Sequence, residues 1–485
     1  MDPGAFRRHG HTLVDWIAEY LEHPERYPVL SRNTPGDIVR ALPALAPDDP
    51  ESFDIIFRDF ERILVPGLTH WNHPGFFAYF AITASPPGIL AEFLAAALNQ
   101  QAMLWRTSPA ATELEDVALS WLRRLLGLPD AFEGVIYDTA SISTLHALAG
   151  ARQAGVPDVR RAGLAGRPLP RYAVYCSEQA HSSVDKAVIA LGLGHDGLRR
   201  IPVDDDFRLI PAALDAAIRS DRAAGIRPLA VVATIGTTST TSVDPTAAIA
   251  DICQREDVWL HVDAAYAGVA AMLPSHRHIL DGASRADSLV VNPHKWLFTP
   301  FDLSAFYCRR MNTIRDAFAL VPDYLATTES GQVKNLMDTG VQLGRRFRAL
   351  KLWMVMRSFG ARGLRANLAR HIELAQTFAS WVDAHRDFVR VAPAPFSVVC
   401  FRWQPEWSSP LSLDPVQARR LDELNAALLT AVNGSGEVFL SHTRLGDRYV
   451  IRLAIGHERT TIEHVSRAWT LLQEHGERLR EAQPS

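Results

Sequence analysis

Val258-Trp-Leu-His-Val-Asp263-Ala-Ala-Tyr266 is an apolar run of strand length that ends on a carboxylate. Runs of the same kind stand at 172–176, 229–234 and 288–291, with helical stretches such as 245–255 between them. Strands alternating with helices over residues 86–350 argue for a mostly parallel sheet with helices on both faces. From 351 to 485 the order changes. Helical segments at 361–386, 415–432 and 461–480 flank strands at 396–403, 437–441 and 449–455, and Gly446-Asp447 marks a turn between the last two. That reads as a smaller α+β domain. Residues 1–85 are helical in pieces. Their apolar stripes (Leu13, Val14, Ile17, Leu21; Phe53, Ile56, Phe60, Ile63) are too short for a core of their own. They are expected to lie against the main body or a partner subunit.

The bulk composition narrows the class. The chain has 485 residues, 47% hydrophobic and 21% charged, with a formal net charge of −4. These values fit a globular protein with a large core, and argue against nucleic acid or an anionic membrane as the main partner. The four cysteines show no CxxC spacing, which predicts a reducing, cytoplasmic setting. The most apolar stretch, 76–98, is broken by Ser85, Pro86, Pro87 and Glu92, so no membrane span is expected.

In an open parallel sheet, ligands bind beyond the carboxyl ends of the strands. After 172–176 comes His181; after 229–234 come Thr237 and Thr238; 258–262 leads into Asp263; 288–291 leads into Asn292, His294 and Lys295. A random Asp and Lys make a structural ion pair. Here both follow apolar strands and are expected to be desolvated, which turns a lysine into a nucleophile. Pyridoxal phosphate needs such an amine for its aldehyde, and a carboxylate that keeps its ring nitrogen protonated. Gly134-Val-Ile-Tyr-Asp-Thr-Ala-Ser141 runs from an apolar stretch into hydroxyl residues and a helix at 144–153. An ordinary capped helix reads the same way, but a helix start with Thr139 and Ser141 also suits a phosphate.

Other signals carry less. Gly192-Leu-Gly-His-Asp-Gly197 matches GxGxxG but follows a helix rather than a strand, and reads as a helix end with a turn. The pairs His70/His73 and His276/His278 lack a third ligand nearby, so no metal site is expected. Arg345, Arg346 and Arg348 read as a charged helix start or as buried ion pairs at an interface.

Asn292-Pro-His-Lys-Trp296 resembles the lysine motif of the group II pyridoxal-phosphate decarboxylases, the family of aromatic-L-amino-acid decarboxylase. Four further motifs agree in order: His73-Pro-Gly-Phe-Phe-Ala-Tyr-Phe80, Ser108-Pro-Ala-Ala-Thr-Glu-Leu-Glu115, His261-Val-Asp-Ala-Ala-Tyr-Ala-Gly268 and Leu343-Gly-Arg-Arg-Phe-Arg-Ala-Leu-Lys351. The resemblance implies a fold-type I enzyme: a large domain (86–350) on a mostly parallel sheet of the seven-stranded type, a small C-terminal α+β domain (351–485), and a helical N-terminal segment (1–85) that packs on the partner of a homodimer. It implies Lys295 as the Schiff-base lysine, Asp263 as the partner of the ring nitrogen and His181 as the residue stacked on the ring. Thr139, Ala140, Ser141, Asn292 and His294 match phosphate-binding positions, and Thr238 a further cofactor contact. Tyr324, in Pro322-Asp-Tyr-Leu325, matches the catalytic tyrosine of a loop and is the expected proton donor.

The activity so implied is decarboxylation of an L-amino acid to the amine and CO2. Asp138 stands where the family usually has glycine; beside a phosphate it is expected to turn away or to cap the helix. Ala81-Ile82 replaces the Pro-Thr of the animal aromatic enzymes, whose threonine can address a catechol hydroxyl. Gln100, Gln101 and Met103 replace smaller or apolar residues at a position reached from the partner subunit. Trp71, Tyr79 and Phe80 keep the expected substrate pocket aromatic, so an aromatic amino acid is favoured and catechol substrates are demoted. The rival readings are oxidative decarboxylation to an aldehyde and a pyridoxal-phosphate-binding protein with a degenerate site. Phe for the loop tyrosine, or Asn for the stacked histidine, marks the aldehyde activity; Tyr324 and His181 are both present.

Overall fold

The computed structural model describes residues 1–320, 333–405 and 414–482. Tyr324 lies outside the described residues. Contacts divide the chain into two compact units, Met1–Ala81 with Ser380–Val389 and Phe401–Ser485, and Ile82–Ala379 with Arg390–Cys400. The N-terminal stretch and the C-terminal stretch thus share one unit. In that unit the short strand β1 (Phe76–Phe77) pairs in parallel with Phe439–Leu445, which pairs antiparallel with Arg448–Ala454. Gly446, at φ +58°, makes the turn between those two strands, a backbone conformation that costs glycine little.

The apolar stripes of the N-terminal stretch are for the most part half-buried. The helix Pro3–Glu22 has no buried residue, and neither has Phe53–Asp59. The rings of Trp16, Phe57 and Phe60 pack on one another, while Val14 and Ile56 are about half exposed.

The second unit is built on seven strands: β2 (Glu133–Tyr137), β3 (Tyr172–Ser177), β4 (Leu198–Ile201), β5 (Arg227–Thr234), β6 (Trp259–Asp263), β7 (Ser288–Val291) and β8 (Ser304–Cys308). Their order is β2-β8-β7-β6-β5-β3-β4. The pairings are parallel from β7 across to β4, and β8 alone runs against its neighbours. β3, β6, β7 and β8 are buried along their whole length, as strands covered on both faces must be. One apolar cluster joins β3, β5 and β8 to the helix Ala140–Gly155. The alternating architecture is therefore as expected, with β8 as an antiparallel insertion between β2 and β7. The GxGxxG stretch follows the helix Ser183–Ala190, and Gly192 and Gly194 take positive φ there.

Candidate active site

One edge of the seven-stranded sheet collects the chemistry. β3, β5, β6 and β7 point their carboxyl ends to it, and β2 shares their direction because two antiparallel pairings separate it from β7. Adjacent strand ends lie about 4.8 Å apart, so residues that follow them converge.

Asp263 ends β6 in register with Thr234 of β5 and Val290 of β7. It is 7% exposed, and its Oδ1 accepts the Ala265 N–H at 3.1 Å. Lys295 lies on the single turn Pro293–Trp296 that follows β7. Pro293, with its fixed φ, starts that turn at the end of the strand. Burial pulls the Lys295 ammonium below its ordinary pKa, and Asp263 pulls the other way. His181 follows β3. Its Nδ1 accepts the Ser183 N–H at 3.1 Å, so the neutral ring carries its proton on Nε2. Burial lowers the pKa of His181; Asp263 raises it and Lys295 lowers it again. These three side chains therefore feel one another's charge.

A histidine of the His261–Gly268 motif stands just ahead of Asp263 on β6. His261, two residues earlier, shares its face of β6. It is fully buried, and its pKa falls to about 4. Trp259 Nε1 donates to Ser288 Oγ at 3.0 Å, which leaves the Ser288 hydroxyl hydrogen for His261 Nδ1 at 2.9 Å.

The first of the expected phosphate-binding residues, Thr139, Ala140 and Ser141, follow the end of β2. Thr139 caps the helix Ala140–Gly155 without a side-chain cap hydrogen bond, Ala140 is buried and Ser141 is exposed. Asn292 is 2% exposed, and its carboxamide oxygen has no hydrogen-bond partner among the described residues. His294 accepts the Leu303 N–H on Nδ1 at 2.8 Å, which leaves Nε2–H as a donor; burial holds its pKa at about 3. Asp138 does not turn away from the helix start. Its Oδ1 takes the Thr139 N–H at 2.5 Å and lies 3.2 Å from the Thr139 hydroxyl, while Oδ2 takes the Gln342 amide at 3.3 Å. Thr238 is exposed on the turn after β5, close to Gly236, where φ is +87° and a Cβ would come within 2.6 Å of the Ala267 methyl.

The expected pocket residues fall in both units. In the first, Trp71 stacks on Phe76 and Tyr79, and the Arg452 guanidinium lies over Phe80. In the second, Ile82 is half-buried and Met103 packs against Leu104 and Met337. Gln101 is exposed, and its carbonyl accepts the Arg345 N–H at 2.6 Å. The arginines of 345–348 precede the helical stretch Ala349–Ala384, which is broken by a kink at Gly360, and each has an acidic partner: Arg345 with Glu115, Arg346 with Glu92, Arg348 with Asp302. Glu115 also accepts the Ile136 N–H of β2. Charge patterning alone could not pair residues so far apart in sequence.

A desolvated lysine, a buried carboxylate one strand away, and a helix start with hydroxyls and an orphaned buried carboxamide fit pyridoxal phosphate, atom class by atom class. Fold and donor set define a fold-type I pyridoxal-phosphate enzyme. The comparisons with known proteins narrow this. Residues 35–404 match the model of the pyridoxal-dependent decarboxylase conserved domain, and the chain belongs to that family. It is 39% identical to tyrosine decarboxylase 3 of Petroselinum crispum, over 99% of this chain and 93% of that one. It is also 39% identical to phenylacetaldehyde synthase of a Rosa hybrid cultivar, over 98% and 95%. The crystal structure of Oryza sativa TDC with PLP and tryptamine superimposes with a TM-score of 0.94 at 37% identity, covering 99% of both chains. The protein is thus a pyridoxal-phosphate-dependent carboxy-lyase acting on an amino acid.

Proposed function

We propose that the protein removes the carboxylate of an aromatic L-amino acid, releasing CO2 and the amine, as a cytoplasmic homodimer with active sites at the subunit interface. The observation that carries this reading is the burial-depressed Lys295 beside Asp263 at the carboxyl edge of the sheet. Bound pyridoxal phosphate supplies the electron sink for the bond that loses CO2. The Lys295 amine is available as a nucleophile to hold the aldehyde. Asp263 keeps a proton on the ring nitrogen. His181 would lie against the ring, with a neutral imidazole whose proton sits on Nε2. The Tyr324 phenol returns a proton to Cα.

The aromatic side chains of Trp71, Tyr79 and Phe80, with apolar Ile82 in place of a hydroxyl, favour an aromatic substrate without a catechol. Exposed apolar side chains favour the dimer: Leu90, Phe93, Leu94 and Leu98 along the helix Pro86–Leu98, and Phe6, Val14 and Ile56 in the N-terminal stretch. Patches of this kind mark interfaces. All four cysteines are buried free thiols, which favours a reducing compartment; among the described residues no helix is long and apolar enough to cross a membrane.

A screen of the twenty amino acids plus dopa and 5-hydroxytryptophan for CO2 and amine tests the reading. Release confined to non-aromatic substrates would overturn it. A second reading, oxidative decarboxylation to an aldehyde, is favoured by one observation: a phenylacetaldehyde synthase is as similar to this chain as a tyrosine decarboxylase is. Stoichiometric aldehyde and peroxide would establish it in place of the amine.

A further inference from the structure

Asp138 is an anion at the start of a helix whose N–H groups and hydroxyls suit another anion. Its Oδ1 occupies two donors of that start, the Thr139 N–H at 2.5 Å and the Thr139 hydroxyl at 3.2 Å. Its Oδ2 is held by the Gln342 amide at 3.3 Å, from the segment that leads to the buried Arg345–Glu115 pair. The carboxylate is therefore anchored from both sides rather than free to swing out. Among the described residues no arginine or lysine pairs with Asp138, so at the partly positive end of the helix these hydrogen bonds are its fixed points.

We propose that Asp138 is a positioning residue that competes with the cofactor's phosphate for the Thr139 donors and so sets how tightly this chain retains its cofactor. The proposal rests on the helix start at Thr139 as the phosphate cradle. Two consequences follow from charge. First, the phosphate is carried mainly by what Asp138 does not occupy, the N–H groups and hydroxyl of Ala140–Ser141 together with Asn292 and His294. Second, a carboxylate within a few ångströms of a phosphate dianion weakens its binding by roughly tenfold or more at the dielectric of a partly exposed site. Neutralising the side chain removes that repulsion and keeps its shape.

Full-length protein stripped of cofactor and titrated with pyridoxal phosphate, followed by the absorbance of the lysine-bound cofactor, tests this in wild type, Asp138→Asn and Asp138→Gly. Pyridoxal, which lacks the phosphate, is titrated in parallel. The expected result is tighter binding of pyridoxal phosphate in both variants, by about tenfold or more, with pyridoxal affinity unchanged. Unchanged or weaker binding of pyridoxal phosphate in Asp138→Asn would overturn the proposal. So would an equal gain for pyridoxal, which would mean that Asp138 acts on the fold rather than on the phosphate. Ser141→Ala separates the two layers of the argument. If it leaves the ratio of the two affinities unaltered, the cradle itself is misplaced and the proposal falls with it; a lowered ratio keeps the cradle and leaves Asp138 to be judged on its own variants.

Discussion

Asp263 raises the proton affinity of Lys295, and burial lowers it by more than Asp263 restores. The net effect is an amine that loses its proton below the ordinary lysine range. Removing the carboxylate removes the opposing pull. Asp263→Asn is therefore expected to move the deprotonation of Lys295 to still lower pH. The pH dependence of the rate at which pyridoxal phosphate captures the free Lys295 amine in cofactor-stripped protein reads this; a midpoint shifted upward would contradict the balance of burial and charge. Lys295→Ala is expected to abolish that absorbance and to cut turnover by at least about a thousandfold, on the order of 4 kcal/mol.

Arg345 and Glu115 pair at 2.8 Å with side chains 7% and 3% exposed, and Arg345 also donates to the Ile136 carbonyl. Breaking one half of such a pair strands a buried charge. Arg345→Met or Glu115→Leu alone should each cost about 3–5 kcal/mol. The double variant should recover much of that loss, because it leaves neither charge behind. Urea unfolding of the four proteins in a double-mutant cycle gives the coupling; additive losses would show that the pair is not the source.

Ile82 offers no hydrogen bond to a substrate hydroxyl. Ile82→Thr is expected to raise the kcat/KM ratio of dopa over phenylalanine by about tenfold, an effect of one polar contact in a pocket. A ratio left unchanged would place Ile82 away from the substrate ring.

Tyr324 is the expected proton donor to Cα. With Tyr324→Phe that proton is missing and the carbanion is left open to O2. Product analysis should then show aldehyde, ammonia and peroxide in place of amine. A variant that still makes only amine at a wild-type rate would remove Tyr324 from the reaction.

Acid should destabilise the fold through buried neutral histidines. His146, His261 and His294 have pKa values held at about 3, 4 and 3 by burial. In the unfolded chain each titrates near ~6.5. Below that pH the unfolded state takes up protons that the folded state refuses, so stability falls as pH drops from about 6.5 toward 4. Each histidine contributes about 1.4 kcal/mol per pH unit across that window. Asp244, buried and raised to about 6, has the opposite sign and offsets part of one histidine. Chemical unfolding at pH 7, 6 and 5 should show the fall, and His146→Leu should flatten it.

The sheet was legible because its signal is local. The runs at 172–176, 229–234, 258–262 and 288–291 coincide with β3, β5, β6 and β7 to within about two residues, since strands buried on both faces must be apolar along their length. What was not legible is pairing. Nothing local in Ser304–Cys308 says that it enters the sheet antiparallel between β2 and β7, and yet that insertion is what gives β2 the direction that brings Thr139 to the edge with Lys295.

By itself, then, the sequence singled out the residues proposed to bear the chemistry, a lysine, a carboxylate and a histidine, each set after an apolar strand, and carried the motifs that mark the decarboxylase family. Only the tertiary structure decided how their charges add. Whether burial or Asp263 governs Lys295, whether Asp138 leaves the helix start or clings to it, and which carboxylates answer Arg345, Arg346 and Arg348 depend on desolvation and on distances between residues far apart in the chain. Electrostatic energy varies with separation and surroundings, and neither is written in the order of residues.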